Sequence, residues 1–108
     1  DWQPVRGLDE LEAAVAAASA AGQPVLLDLY ADWCISCKVM ERTVFPRPEV
    51  ASRMQAFRLL KADVTRNSAE DRALLDAYGL FGPPSMVFFG PDGREIVDAR
   101  IQGEIAAG

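Results

Sequence analysis

Apolar residues recur along this chain at two different spacings, and the switches between them mark out its elements. Leu8, Leu11, Ala14, Val15 and Ala18 follow a helical spacing. Asp9 is placed to cap that helix, with Glu12 three residues on completing a capping-box pattern. The alanine-rich run 13–21 has high helix propensity, and Gly22 and Pro24 end it. Residues 25–30, Val-Leu-Leu-Asp-Leu-Tyr, are too short and too apolar for a surface helix and predict a buried strand. A helix follows from Cys34 to about Phe45, carrying Val39, Met40 and Val44, and Pro46 stops it. Pro48 opens a second helical piece over 48–54. Residues 57–64 predict a strand and 65–68 a polar loop. Ser68 caps a helix over 69–78, with Asp71 at its third position. Leu74, Leu75 and Tyr78 are its buried stripe, and Gly79 its stop. Residues 85–89 are a strong strand, 90–93 a turn, and 94–101 a returning strand. Residues 2–6 are a short first strand. The order is strand, helix, strand, helix, strand, helix, hairpin. It predicts an α/β fold in one domain, 1–108, with a mixed, partly parallel sheet flanked by helices on both faces.

Charge narrows the function. Eleven Lys and Arg stand against 16 Asp and Glu, a formal net charge of -5. Nucleic acid is disfavoured as a partner, since its binding leans on cations that neutralise phosphates. An electrostatic membrane anchor is disfavoured for the same reason. No apolar run approaches the roughly 20 residues that span a bilayer, so no direct membrane insertion of this domain is expected. The chain opens on Asp1 rather than Met and is expected to be a processed or excised piece.

Both cysteines, Cys34 and Cys37, sit two residues apart where a strand hands over to a helix. Cys-x-x-Cys at such a junction is a redox signature. The first cysteine lies at the helix N-terminus, where unpaired N–H groups and the helix dipole favour a thiolate. The second lies one turn further on the same side and can attack a mixed disulfide formed by the first. As a staple the pair would close a very short loop, worth about 2 kcal/mol against roughly 3 for a loop of 15 residues. A structural zinc site wants four ligands, and the chain has two Cys and no His. Cu(I) held by Cys34 and Cys37 with Met40 is the remaining metal reading. Asp28 interrupts the apolar strand, so it has either a hydrogen-bonding partner or a task, since an unpaired buried carboxylate is costly. No Gly-x-Gly-x-x-Gly or other nucleotide signature is present. No cofactor beyond the cysteine pair is expected, and reducing power has to come from another dithiol.

Trp33-Cys34-Ile35-Ser36-Cys37-Lys38 after the second strand, and a proline before the hairpin, resemble thioredoxin over nearly the whole chain. Within that superfamily the chain is most similar to the C-terminal periplasmic domains of the DsbD thiol:disulfide interchange proteins. The residues that carry this are Leu27-Asp28-Leu29-Tyr30-Ala31-Asp32-Trp33-Cys34, Cys37-Lys38, Glu41, Thr43, Phe45 and Pro48-Glu49-Val50. Ala62-Asp63-Val64-Thr65 and Phe81-Gly82-Pro83-Pro84-Ser85-Met86-Val87-Phe88-Phe89 continue it. Two departures stand out: Ile35-Ser36 replaces the Gly-Pro of thioredoxin, and the fold's C-terminal helix is missing or barely started at Glu104.

The resemblance implies a thioredoxin fold and a periplasmic protein-disulfide reductase domain of an inner-membrane protein. Electrons come from a membrane-embedded donor domain and go to an N-terminal periplasmic acceptor domain. It implies Cys34 as nucleophile and Cys37 as the more buried resolving thiol. Asp28 becomes the carboxylate beneath Cys37 that moves its proton, and Glu41 a second acid near the site. Pro84 follows a cis bond. Pro83, having no N–H, offers a partner only its carbonyl. Trp33 is a partly exposed platform, and Lys38 a solvated helix residue. Ionised carboxylates near the cysteines disfavour further negative charge. The Cys34 thiolate is therefore expected to be less stabilised than in an oxidase, and partners that neutralise those acids to react faster. A periplasmic reductase for cytochrome c maturation and a non-catalytic interaction module are the alternative functions.

Overall fold

The computed structural model describes residues 1–103, so the helix expected to start at Glu104 lies outside the described residues. Five strands form one sheet: β1 (Gln3–Val5), β2 (Val25–Tyr30), β3 (Arg58–Asp63), β4 (Ser85–Phe89) and β5 (Ile101–Gln102), in the order β1-β3-β2-β4-β5. β3 runs parallel to β1 and β2, while β4 is antiparallel to both β2 and β5. β2 is central and buried on both faces over Val25 to Leu29, hence its nearly unbroken apolar sequence.

Alternation along β2 sorts the core into two halves. Val25, Leu27 and Leu29 pack with Leu11, Ala14, Val15 and Ala18 of α1 (Gly7–Ala20) and Leu74 and Leu75 of α4 (Ala69–Ala77). Leu26 packs on the opposite face with Met40 of α2 (Ile35–Thr43), Val44 and Met86, backed by Val50 and Met54 of α3 (Pro48–Met54). The sheet is thus covered by α1 and α4 on one side and by α2 and α3 on the other. Asp28 shares the face of Leu26 and so points toward α2. This is the α/β thioredoxin fold.

Most boundaries follow the local chemistry. α1 ends where Gly22, at φ 70°, lets the N–H groups of Gly22 and Gln23 reach the carbonyls of Ser19 and Ala18. Ser68 and Asp71 form the expected reciprocal capping box at α4. Pro48 opens α3, with Arg47 as its N-cap.

Two expectations are corrected. α1 starts at Gly7, not Asp9: Arg6 is the N-cap, with no side-chain cap bond, and its N–H donates to Glu10 Oε1 at 2.8 Å. Gly7, at φ 78°, turns the chain into the helix directly after β1, so Asp9 lies already inside the first turn. Leu8 is consequently only half-buried. The second correction concerns the strand expected over 94–101. The turn after β4 leads to a single bridge, Phe89 with Glu95, and then to a 3₁₀ turn over Val97–Ala99. Pairing resumes as β5, with Met86 opposite Ile101. Between these two pairings the returning chain holds three more residues than β4, and the 3₁₀ turn takes them up.

Candidate active site

Cys34 and Cys37 are joined as a disulfide, with Cα atoms 5.3 Å apart. Cys34 is the N-cap of α2, and its Sγ accepts the backbone N–H of Cys37 at 3.1 Å. A helix donor is thereby aimed at Cys34 Sγ, an arrangement that favours a thiolate at that position. Cys37 Sγ lies 3.7 Å from the carbonyl of Leu29 on β2, which seats it against the sheet. The expected difference in burial between the two is slight: Cys34 is 6% exposed and Cys37 4%.

Apolar side chains stand out around the elements that bear the pair. Trp33 is 59% exposed, Ile35 78% and Phe81 99%. The Pro83–Pro84 peptide is cis, and both prolines are half-buried. Ser85, next to Pro84, pairs with Leu29, the residue whose carbonyl meets Cys37. The sheet register therefore sets the Phe81-to-Pro84 loop at the β2 end where α2 begins. Ser85 Oγ donates to Gly82 O at 2.6 Å and pins that loop.

The Trp33 turn is anchored by the segment after β3. Trp33 Nε1 donates to the Thr65 carbonyl at 2.9 Å, and Asp32 N–H to Thr65 Oγ1 at 2.8 Å. Thr65 is in turn bound to Asp63 through both its N–H and its hydroxyl. The anchoring role of Thr65 was not readable in the local pattern, because Asp32 and Trp33 lie more than thirty residues away.

Asp28 is 5% exposed. Burial raises its pKa from 3.8 to about 7; Lys61 opposes the rise and Glu41 adds to it. At neutral pH the carboxyl thus divides between its two forms and can both take and return a proton. Glu41, on α2, is half-buried and accepts from Lys61 Nζ at 2.7 Å. Lys61 is the β3 residue in register with Asp28, and its ammonium also lies 4.0 Å from the Tyr30 ring centroid. Sequence reasoning missed Lys61. The available signal was a lone charge within Leu59-Leu60-Lys61-Ala62, the same kind of interruption that flagged Asp28. Lys38 is exposed, in line with a solvated role. Met40 packs into the core with Leu26, Val44 and Met86.

Comparison with known proteins agrees with this geometry. A family model described as thioredoxin-like matches residues 4–91. A Pseudomonas aeruginosa protein, thiol:disulfide interchange protein DsbD 1, is 53% identical over 107 residues, 99% of this chain. The chain spans 18% of the length of that relative. The crystal structure of the Neisseria meningitidis DsbD C-terminal domain in the oxidised form is 38% identical and superposes with a TM-score of 0.78. That match covers 97% of this chain and 90% of the other. The reduced form of the same domain is 41% identical, with a TM-score of 0.67 over 88% of this chain and 86% of the other.

Proposed function

This chain belongs to the thioredoxin-like family, among the C-terminal domains of DsbD proteins, and on that footing we propose that it relays electrons between proteins by dithiol–disulfide exchange. The donor is a membrane-embedded domain, and the acceptor an N-terminal domain in the periplasm, where this domain also resides. The observation that carries the reading is the Cys34–Cys37 disulfide at the N-terminus of α2, the helix that covers the sheet face holding the buried Asp28.

Each turnover has two displacements. In the reduced domain the Cys34 thiolate attacks one sulfur of a partner disulfide. A Cys34–partner bond forms, the partner's own bond breaks, and its other sulfur leaves as a thiolate that takes up a proton. Cys37 then passes its proton to Asp28 and attacks Cys34 Sγ. The internal disulfide forms, and the partner leaves with two electrons gained. The same steps in reverse, driven by the donor's dithiol, recharge the domain. Trp33, Pro83 and Pro84 line the approach, and Pro83 presents a carbonyl but no N–H to a visiting strand. Glu41 discourages a long-lived thiolate in the absence of a partner. The pair itself serves as the redox group.

The test is a redox titration of the pair followed by Trp33 fluorescence. A potential near the about −270 mV of thioredoxin supports the reductant role. A value near the about −120 mV of DsbA reverses the direction of flow and overturns it.

A further inference from the structure

Two cations on the helix that bears the cysteines have no acid of their own. Lys38 and Arg42 follow Cys34 at intervals of four residues, so the three form one row along α2. Both cations are exposed, and among the described residues neither is ion-paired. With Tyr30, Ile35 and Glu41 they line an open cleft of about 390 Å³. Glu41, the acid among those lining residues, is taken up by Lys61 at 2.7 Å. The next acid along the chain, Asp32, accepts from the Tyr30 hydroxyl at 3.0 Å. Unspent positive charge therefore borders the disulfide of a chain whose formal net charge is -5.

We propose that this row docks an acidic segment of a partner protein, and so selects partner disulfides that carry an Asp or Glu within about four residues of the cysteine that Cys34 attacks. The proposal rests on the electron-relay reading of the site and names the class of partner segment it prefers.

The reach follows from helix and strand dimensions. A rise of about 1.5 Å per residue sets Lys38 roughly 6 Å, and Arg42 roughly 12 Å, beyond Cys34 along the α2 axis. An extended segment advances about 3.3 Å per residue. A carboxylate two residues from the attacked cysteine thus comes level with Lys38, and one four residues away with Arg42. Lysine offers three donors on a flexible stem, and arginine a fork that matches both carboxylate oxygens. Ile35, 78% exposed and next to Cys34, adds an apolar contact at the head of the row. Charges placed this way at the rim of a contact act chiefly on the rate of productive encounter.

The experiment uses the reduced chain at neutral pH in stopped flow, followed by Trp33 fluorescence. Three synthetic peptides, each closed by one disulfide, differ only at the second residue after the first cysteine, which is Asp, Asn or Lys. In each reaction the peptide disulfide is reduced to two thiols and the Cys34–Cys37 dithiol is oxidised. The Asp peptide reacts about fivefold faster than the Asn peptide at low salt, the size of one or two exposed ion pairs. That ratio falls toward one at about 1 M salt, where the screening length is about 3 Å. Lys38→Gln combined with Arg42→Gln brings it to about one at low salt as well, and Lys38→Arg keeps it. A change in the Cys34 thiolate alone cancels in the ratio. Equal rates for the Asp and Asn peptides with the parent overturn the proposal. So does a ratio that the double variant leaves unchanged, and so does a parent that prefers the Lys peptide, which would put the acids in command of the field. A parent that reduces none of the three peptides sinks the relay reading, and the proposal with it.

Discussion

Asp28 is the residue at which burial and charge are most at odds. Its carboxyl titrates near 3.8 in the unfolded chain and about 7 in the folded one. Between those values the folded state binds the proton more tightly, so stability falls as pH rises from about 4 to about 7 and then levels off. The shift corresponds to about 4 kcal/mol. Asp28→Asn should therefore stabilise the fold by up to that amount at pH 8 and by little at pH 4.5, measured by urea unfolding. With Ellman's reagent, a small aromatic disulfide, the same variant should slow release of the second thiolate by about tenfold or more at pH 7, while the first remains fast. Equal stabilisation at both pH values would mean that the carboxyl is not held neutral by its burial. At this scale the sequence was informative wherever a residue contradicted its surroundings. Asp28 did so in an apolar strand, and Cys34 and Cys37 did so by type and spacing. Lys61 carried the same signal, but its meaning depends on the β2–β3 register, which no local pattern encodes.

Among the elements, those whose ends rest on side chains close in sequence were legible. Ser68 and Asp71 satisfy one another's N–H groups three residues apart, and Ser68→Ala should lower stability by about 1 kcal/mol in a denaturant titration. The start of α1 was misread because its cause is not local. Gly7 combines φ 78° with a packed neighbour: a Cβ there would lie 2.6 Å from Glu70 Cγ of α4. Gly7→Ala is therefore expected to destabilise by more than the about 1 kcal/mol that separates these residues in an ordinary helix, where alanine is the better former. A thermal melt of the variant above that of the parent would show that the turn tolerates a side chain. The returning strand was misread for a related reason. Alternation along 94–101 is compatible with a strand, but the register on β4 is fixed separately at Glu95 and at Ile101, and the surplus residues must turn away.

For the whole molecule, the sheet puts rigid and exposed parts in contact. The disulfide is seated on β2, while Trp33 and Ile35, which flank Cys34, and Phe81, on the loop before β4, stand in solvent. The exposure of Phe81 was not visible in the sequence, where the residue lies between the Gly79 stop and the strand over 85–89 with no pattern of its own. Only the loop before the cis peptide turns it outward. Phe81→Ser should slow exchange with a protein partner by about tenfold, as loss of an apolar anchor of 1.4 kcal/mol would. Its rate with the small aromatic disulfide should stay within about twofold of the parent. Equal slowing of both reactions would place Phe81 in holding the loop together rather than in meeting partners.

The broken hairpin has a further consequence. Among the described residues the sheet is bounded by a three-residue strand containing Pro4 on one margin and by a two-residue strand on the other. Neither margin offers a long row of free amides and carbonyls on which a stranger's strand could grow. A domain that must meet other chains and let them go is thereby kept from templating aggregates of its own kind.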